Sequence, residues 1–398
     1  MAGSKWGYRI QTGYVIQKLN ITSCHSVEQT TAMIIRSKSW SSLPSWCWRR
    51  CNSLCHPSRS FATLSSSSVP ETVISKADEL HTIRMVRLHD AAGYLPGQLL
   101  PNHRMRETYF GVRSFWVETG LRFGSTALVP SHSPPEVHLE WWERGIQVLY
   151  QDMDTMEGNT TEHEPHNYNQ HPTWRLLKQL IQRHDLSKSY FDDILLGRRK
   201  DLDTKQYETL QELIDHASLS CGSLFSLVLE SASLTASNHP PAHAAAQLLG
   251  KAHGLTNALR FSIPLVSSTG KLILPKDLCL KHGVSSPRYL LSALGQGDAS
   301  CQQALRLVVQ DICTEARRDL QLARDMRVAI LDHDKAASPK AGKHAVAVFL
   351  PAVASETFLN RLESKHYDLT DKNLRHTGLF DRFAGIASMV TAFYQDRY

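Results

Sequence analysis

Few side chains in this sequence combine type and spacing in a way that could support chemistry. His163, His166 and His171 stand beside Glu162 and Glu164, and imidazole with carboxylate is a transition-metal ligand set. Pro165 interrupts them and no helix fixes the imidazoles, so a solvated loop is the expected outcome. Asp192/Asp193 and Asp201/Asp203 are close carboxylate pairs of the kind that work as general acid and base or hold Mg²⁺. They lack the spacing of four that stacks two carboxylates on one helix face, and the adjacent Arg198, Arg199 and Lys200 point to a solvated helix end. Cys47, Cys51 and Cys55 have metal-like spacing but no histidine partner at finger distance. The G-x-S-x-G elbow, the G-x-x-x-x-G-K-[ST] phosphate loop, G-x-G-x-x-G after a strand and H-E-x-x-H are all absent.

The element best able to position anything is the stretch from His243 to Asp277. Leu248, Ala252, Leu255 and Leu259 recur at spacings of four and three and form one stripe, while Ala246, Gly250, Gly254 and Ala258 form a ridge of small residues. A glycine inside a helix costs about 1 kcal/mol relative to alanine. Two on one ridge therefore predict close backbone approach or a cavity wall. Pro264 is expected to stop this helix, with Ser267, Ser268 and Gly270 in the turn. Elsewhere helical periodicity alternates with polar loops and strand alternation is absent, which predicts an all-α body. The run from Glu140 to Tyr150 is amphipathic, with Trp141, Trp142 and Leu149 facing a core. A later helix turns Leu305, Val308, Ile312 and Ala316 inward and is expected to carry Asp311, Glu315 and Asp319 on its outward face among Arg317, Arg318 and Arg324.

Several of these segments resemble the squalene/phytoene synthase family. Gly250, Ala252, Leu255, Thr256, Asn257, Leu259 and Arg260, then Gly270, Leu274, Pro275 and Asp277, match in type and spacing the family's G-x-A-x-Q-L-T-N-I-L-R-D-x-x-x-D helix and the G-R-x-Y-L-P-x-D that follows it. Asp90 to Glu118 is similar to the family's opening, which ends in R-x-x-D-x-x-x-D. Gly197, Asp201, Leu202, Tyr207, Leu213, Gly222 and Leu224 hold further expected places, His216 stands where an aromatic is common, and His171-Pro172 resembles a step that starts a helix. The resemblance implies a single-domain, isoprenoid-synthase-like helical bundle with a central cavity over residues 80–398.

It also implies where metal would be held. In the family, aspartates of the two motifs hold Mg²⁺ against a prenyl diphosphate. Here the first-motif positions are Trp116 and Gly120, and the second-motif positions are Phe261 and Leu265. No acid lies between Glu118 and Glu136 or between Glu230 and Asp277, so shifting the register recovers nothing. Glu118 is two residues from both first-motif positions and points to the opposite side at about 100° per residue. Arg113 and Arg260 remain as a candidate residual anion-binding pair, since arginine can hold a phosphate without metal. Ionising an allylic diphosphate requires charge stabilisation that Mg²⁺ supplies, and Mg²⁺ takes hard oxygen ligands. The expectation is a non-catalytic protein with no cofactor. The alternative is a prenyl diphosphate-binding or prenyl-transferring enzyme with a degenerate Mg²⁺ site.

Residues 1–61 carry eight Lys and Arg against the single acid Glu28, a Ser-rich composition typical of a mitochondrial transit peptide. Arg59, Ser60 and Phe61 before Ala62 resemble an arginine-based cleavage site, and Met33 begins a second leader of the same kind. Residues 62–79 make a Ser-rich linker. The net charge is +6, yet the chain after Phe61 holds 36 basic and 37 acidic residues, so a nucleic-acid-binding body is not supported. Dispersed Cys221, Cys279, Cys301 and Cys313 fit a reduced compartment. No segment approaches the ~18 apolar residues of a membrane span. Within the family, such a leader joined to synthase-like helices and erased aspartates resembles the branch that builds respiratory complex I, NADH dehydrogenase. Lys251 to Gly254 and His282-Gly283-Val284 share in that likeness. It implies peripheral association with the matrix side of the mitochondrial inner membrane, complex I subunits or assembly intermediates as partners, and a cavity that takes an apolar or prenyl ligand.

Overall fold

Periodic apolar stripes become helices that bury them against one another. The computed structural model describes residues 74–100, 102–120, 134–154, 168–337, 348–375, 379–395 and 398. The leader with Cys47, Cys51 and Cys55, and the loop residues Glu162, His163, Glu164 and His166, lie outside the described residues. Thr72–Tyr398 forms one compact unit. Its helices are α1 (Lys76–His89), α2 (Ala91–Leu99), α3 (His103–Gly120), α4 (Pro135–Asp154), α5 (Pro172–His184), α6 (Lys188–Asp203), α7 (Leu210–Ala217) and α8 (Ser223–Glu230). There follow α9 (Pro240–Thr269), α10 (Lys276–Lys281), α11 (Ser286–Ala293), α12 (Ala299–Asp325), α13 (Arg327–Ala337), α14 (Pro351–Ser364), α15 (Lys372–Arg375) and α16 (Leu379–Tyr394). No strand occurs among the described residues. A π-helical turn, Ser218–Gly222, joins α7 to α8.

Local chemistry starts and stops these helices where tertiary packing needs them. The Asp90 carboxylate accepts from the Gly93 amide at 3.0 Å to cap α2, and Thr209 Oγ1 accepts from Glu212 N at 3.1 Å to cap α7. His171 caps α5 through Nδ1, with Pro172 in the first turn where a missing N–H costs nothing. α1 begins at Lys76, inside the stretch assigned above to the linker, because Asp78 is buried there and pairs with Arg175 of α5.

α9 is the axis of the larger core and packs on α12, the π-helical turn, α7, α8 and α14. Its small-residue ridge makes the expected close approach. A Cβ on Gly250 would stand 2.4 Å from the backbone N and Cα of Gly222, and one on Gly254 would stand 2.4 Å from the Ala217 Cβ. Pro264 does not stop α9. It lies on the exposed side, removes a single ladder hydrogen bond, and the helix runs on to Thr269. Gly270 then ends it in the left-handed region (φ 66°), its N–H bonded to the Val266 carbonyl at 3.0 Å.

A second core fills the space between α3, α4, α5 and α6. Trp142 is fully buried edge-on to Phe115 at 5.3 Å, with Trp141 and Leu149 beside it. α12 buries Leu305, Val308, Ile312 and Ala316 as its periodicity predicts. Asp319 departs from the expected outward ladder. It is 1 % exposed because it continues the inward stripe of Ile312, Ala316 and Ala323. Asp311 does face outward, bridging to Lys281 at 2.8 Å and to His282 at 2.9 Å.

Candidate functional site

One cavity of about 510 Å³ gathers all four positions that the family resemblance equates with metal-binding carboxylates: Trp116 and Gly120 from α3, Phe261 and Leu265 from α9. The small residues Gly254 and Ala258 form its α9 wall, α6 contributes Arg198 and Asp201, and the π-helical turn contributes Ser220 and Cys221. Leu272 and Ile273, just after α9, extend the apolar lining, and Phe261, 45 % exposed, stands at the mouth. The Trp116 indole donates to Ser220 Oγ at 3.1 Å. The Arg198 guanidinium lies over the Trp116 ring at 4.7 Å and donates to the Trp116 carbonyl at 2.9 Å. A Cβ on Gly120 would meet that guanidinium at 3.0 Å. A positive group thus occupies the space beside Gly120 into which any side chain at that position would extend.

Asp201 is the one acid lining the cavity among the described residues, and it is already engaged. His216 Nε2 lies 3.0 Å from its carboxylate, the Tyr207 hydroxyl donates at 3.2 Å, and Arg198 Nη1 stands at 3.5 Å. Burial alone would raise the Asp201 pKa, but His216, Arg198 and Tyr207 together hold it below the ordinary carboxylate range. Burial and the Asp201 charge push the Tyr207 hydroxyl far up. Burial likewise pushes the Cys221 thiol up to about 11, so it is no thiolate nucleophile at neutral pH. Lys271 Nζ donates to the Leu202 carbonyl at 3.1 Å and to that of Asp201, so it neutralises the C-terminal end of α6. Set against one engaged carboxylate are three cations in the lining, Arg198, Lys205 and Lys271. These residues do not fit Mg²⁺, which needs oxygen ligands free to coordinate it.

The arginines singled out by sequence lie elsewhere. Arg113 is fully buried and does not line the cavity. It pairs with Asp90 and points its remaining face at the rings of Tyr109 and Phe225, 5.1 and 5.6 Å away. Burial opposes its charge, but Asp90 and Tyr109 more than offset this and raise its pKa. Arg260 stands over Phe358 at 4.8 Å and donates to Asn257 Oδ1 at 2.9 Å, with burial lowering its pKa. Neither is among the cavity-lining residues.

Arg198 and Asp201, by contrast, do not sit on the solvated helix end expected from their charge run; both line the cavity. Successive residues of a helix point about 100° apart, so the run Arg198, Arg199, Lys200 divides. Arg198 faces the cavity, Arg199 pairs with Glu143 of α4 at 2.6 Å, and Lys200 faces solvent. The spacing of three between Arg198 and Asp201, with family-like Gly197 just before them, was the available signal. His171 is not a loop ligand. It is 1 % exposed, its Nδ1 caps α5 and its Nε2 stands 3.0 Å from Glu118. Among the described residues, the grouping compact enough for a metal is Glu79, His103 and Glu107, away from the cavity. There His103 bridges the two carboxylates at 3.5 and 3.4 Å while Arg183 also holds Glu107 at 2.9 Å.

Known proteins show the same architecture. The chain superposes on a dehydrosqualene synthase with a TM-score of 0.57 at 18 % identity, covering 80 % of this chain and 98 % of that one. A squalene synthase from Alicyclobacillus acidocaldarius gives a TM-score of 0.55 at 15 % identity, covering 73 % and 95 %. In sequence the chain is 27 % identical over 332 residues to NADH dehydrogenase (ubiquinone) complex I, assembly factor 6, of Bos taurus, covering 83 % of this chain and 87 % of that protein. It is 28 % identical over 293 residues to the Drosophila melanogaster homolog of that factor, covering 74 % and 78 %. The squalene/phytoene synthase family model matches residues 86–379, so the chain, with its isoprenoid-synthase-like all-α fold, belongs to that family.

Proposed function

We propose that this protein serves the assembly of respiratory complex I as a non-catalytic member of the synthase family. The observation that carries the proposal is the cavity. All four positions matched to metal-binding aspartates line it, none offers an oxygen ligand from its side chain, and the remaining carboxylate, Asp201, is engaged by three partners. Leaving-group stabilisation by a carboxylate-held ion has no basis in such a lining. Relatives named as complex I assembly factor 6 or its homolog, from cattle to Dictyostelium discoideum, support the biological half of the proposal. The basic leader of residues 1–61 directs the chain to mitochondria and is removed near Ala62. No helix among the described residues is long and apolar enough to cross a membrane, and the chain associates peripherally with the matrix face of the inner membrane. There it engages complex I subunits or an assembly intermediate.

Two measurements test this. Cells lacking the gene have less assembled complex I on native gels, and restoring the full chain restores it; a knockout with normal complex I refutes the assembly role. Purified protein given radiolabelled farnesyl or geranylgeranyl diphosphate with Mg²⁺ yields no squalene-like or phytoene-like product. Product formation would establish the alternative, a prenyl-transferring enzyme.

A further inference from the structure

Away from the cavity, the outward face of α1 carries charge of one sign. Lys76, Leu80, Arg84 and Arg87 follow at spacings of four, four and three, with Leu88 beside them, so at about 100° per residue all five fall within about 120° of the helix circumference. Lys76, Arg84 and Arg87 are exposed, as are Leu80 at 57 % and Leu88 at 62 %. The buried Asp78, Thr82, Met85 and Val86 take the other side, which packs on α3 and α5. The three acids between Ile74 and Asn102 are turned from the outward face and engaged: Asp78 by Arg175, Glu79 by His103 at 3.5 Å and Asp90 by Arg113. Among the described residues none of the three outward cations makes an ion pair, and Arg87 stands over the Tyr94 ring at 6.0 Å. Lys188, Lys276 and Lys281 differ, being surface cations each bound to a carboxylate. Unpaired cations beside exposed leucines suit a surface that offers many phosphates above an apolar interior.

We infer that this face of α1 is where the chain lies on a bilayer rich in anionic lipid, with Lys76, Arg84 and Arg87 among the phosphate heads and Leu80 and Leu88 pushed between them toward the acyl chains. The inference rests on the peripheral membrane association proposed above and names the surface that makes it. Size favours a bilayer over a protein partner. The 14 residues of α1 make a stripe about 21 Å long and one helix wide, well short of the ~800 Å² per partner of a stable protein interface. A lipid surface needs no matched groove, and each cation near it adds affinity, about fivefold apiece.

The test uses the protein isolated from mitochondria, in the form that processing leaves, and vesicles of phosphatidylcholine alone or of equal parts phosphatidylcholine and phosphatidylglycerol, read by co-sedimentation. Wild-type protein binds the anionic vesicles about tenfold or more tightly than the neutral ones, and added salt weakens this binding. The double variant Arg84→Ala/Arg87→Ala, at two exposed positions, lowers binding to the anionic vesicles about twentyfold with an unchanged thermal midpoint, while Arg84→Lys/Arg87→Lys retains most of it. Leu80→Ser/Leu88→Ser lowers it severalfold, and Lys188→Ala, which removes a paired surface cation, leaves it unchanged. Should the double alanine variant fail to fold, Lys76→Glu at the exposed start of α1 lowers binding about fivefold or more. Equal binding to both vesicles, an equal loss from Lys188→Ala, or no loss from the double alanine variant would each overturn the inference. An acidic protein as the occupant would show as wild-type protein that ignores anionic vesicles yet leaves mitochondrial membranes when Arg84 and Arg87 are replaced, which also overturns it. Fractionation keeps the two proposals apart. Wild-type protein found free of mitochondrial membranes refutes the peripheral association itself, whereas wild-type and double alanine protein retained equally on them overturns only the role of α1.

Discussion

Helix α3 carries two polar histories on opposite faces. On one face Glu118 is buried and answered from three helices. His171 lies at 3.0 Å, Thr173 donates at 2.6 Å, Ser114 donates at 2.9 Å, and His81 lies at 3.3 Å. Burial would raise the Glu118 pKa, yet these partners hold it at about 2. On the other face Trp116 and Gly120 line a cavity in which Asp201 is the one acid among the described residues. The comparison shows what a buried carboxylate requires. It persists where neighbouring donors offset its desolvation. In the cavity a close pair of carboxylates would repel one another, and the lining cations Arg198 and Lys271 are already held by backbone carbonyls.

Breaking the Glu118 side should have the largest effect. Glu118→Ala leaves several buried donors without an acceptor and is expected to destabilise the protein by about 3–5 kcal/mol, measured as a fall in the urea midpoint at unchanged slope. The same carboxylate sets an acid limb. Its folded pKa is depressed from an ordinary 4.5 to about 2, so its contribution is present above pH 4.5 and is lost as pH falls toward 2. His253 acts over a different window. Burial holds its folded pKa at about 3 against an ordinary 6.5, so the unfolded chain takes up the proton first and stability starts to fall below pH 6.5. Urea midpoints from pH 7 to 2 should therefore decline over two overlapping windows, and Glu118→Gln should shrink the lower one, to which Asp201, Asp311 and Asp368 also contribute, while leaving the upper one.

Two glycines sharpen the contrast at smaller magnitude. Gly250→Ala drives a methyl into the unyielding backbone of Gly222 at 2.4 Å and should cost about 1–3 kcal/mol. Gly120→Ala meets only the end of the Arg198 side chain at 3.0 Å, and a flexible neighbour should keep the cost below about 1 kcal/mol. Equal losses in thermal unfolding would mean that the cavity is packed as tightly as the core. Smallest of all, Phe261→Ser at the exposed mouth should change stability by no more than about 0.5 kcal/mol. A larger loss would show that Phe261 seals the core rather than borders a cavity.

Much of this was legible residue by residue. The Gly250 and Gly254 ridge announced close approach because a helix tolerates glycine there only where a neighbour needs the room. The buried Trp142 followed from periodicity, and the start of α5 from His171-Pro172. The convergence of Trp116, Gly120, Phe261 and Leu265 followed from a family-like spacing. Other features escaped because they depend on partners distant in sequence. Pro264 looked like a stop signal, but an exposed proline removes only one ladder bond from a helix held by packing on many sides. Asp319 looked like part of a solvated ladder, but its stripe faces inward. Arg113 and Arg260 match the family-like spacing but face Asp90, Asn257 and aromatic rings and are not among the cavity-lining residues.

The sequence by itself determined the helical class, the small-residue ridge of α9 and the lack of any acid between Glu118 and Glu136 or between Glu230 and Asp277, since each follows from residue types and their order. Only the tertiary structure decided which charges line the cavity. A rotation of about 100° per residue sends Arg198 inward, Arg199 to α4 and Lys200 to water, and the sequence of a charged run does not say which of its faces the neighbouring helices will enclose.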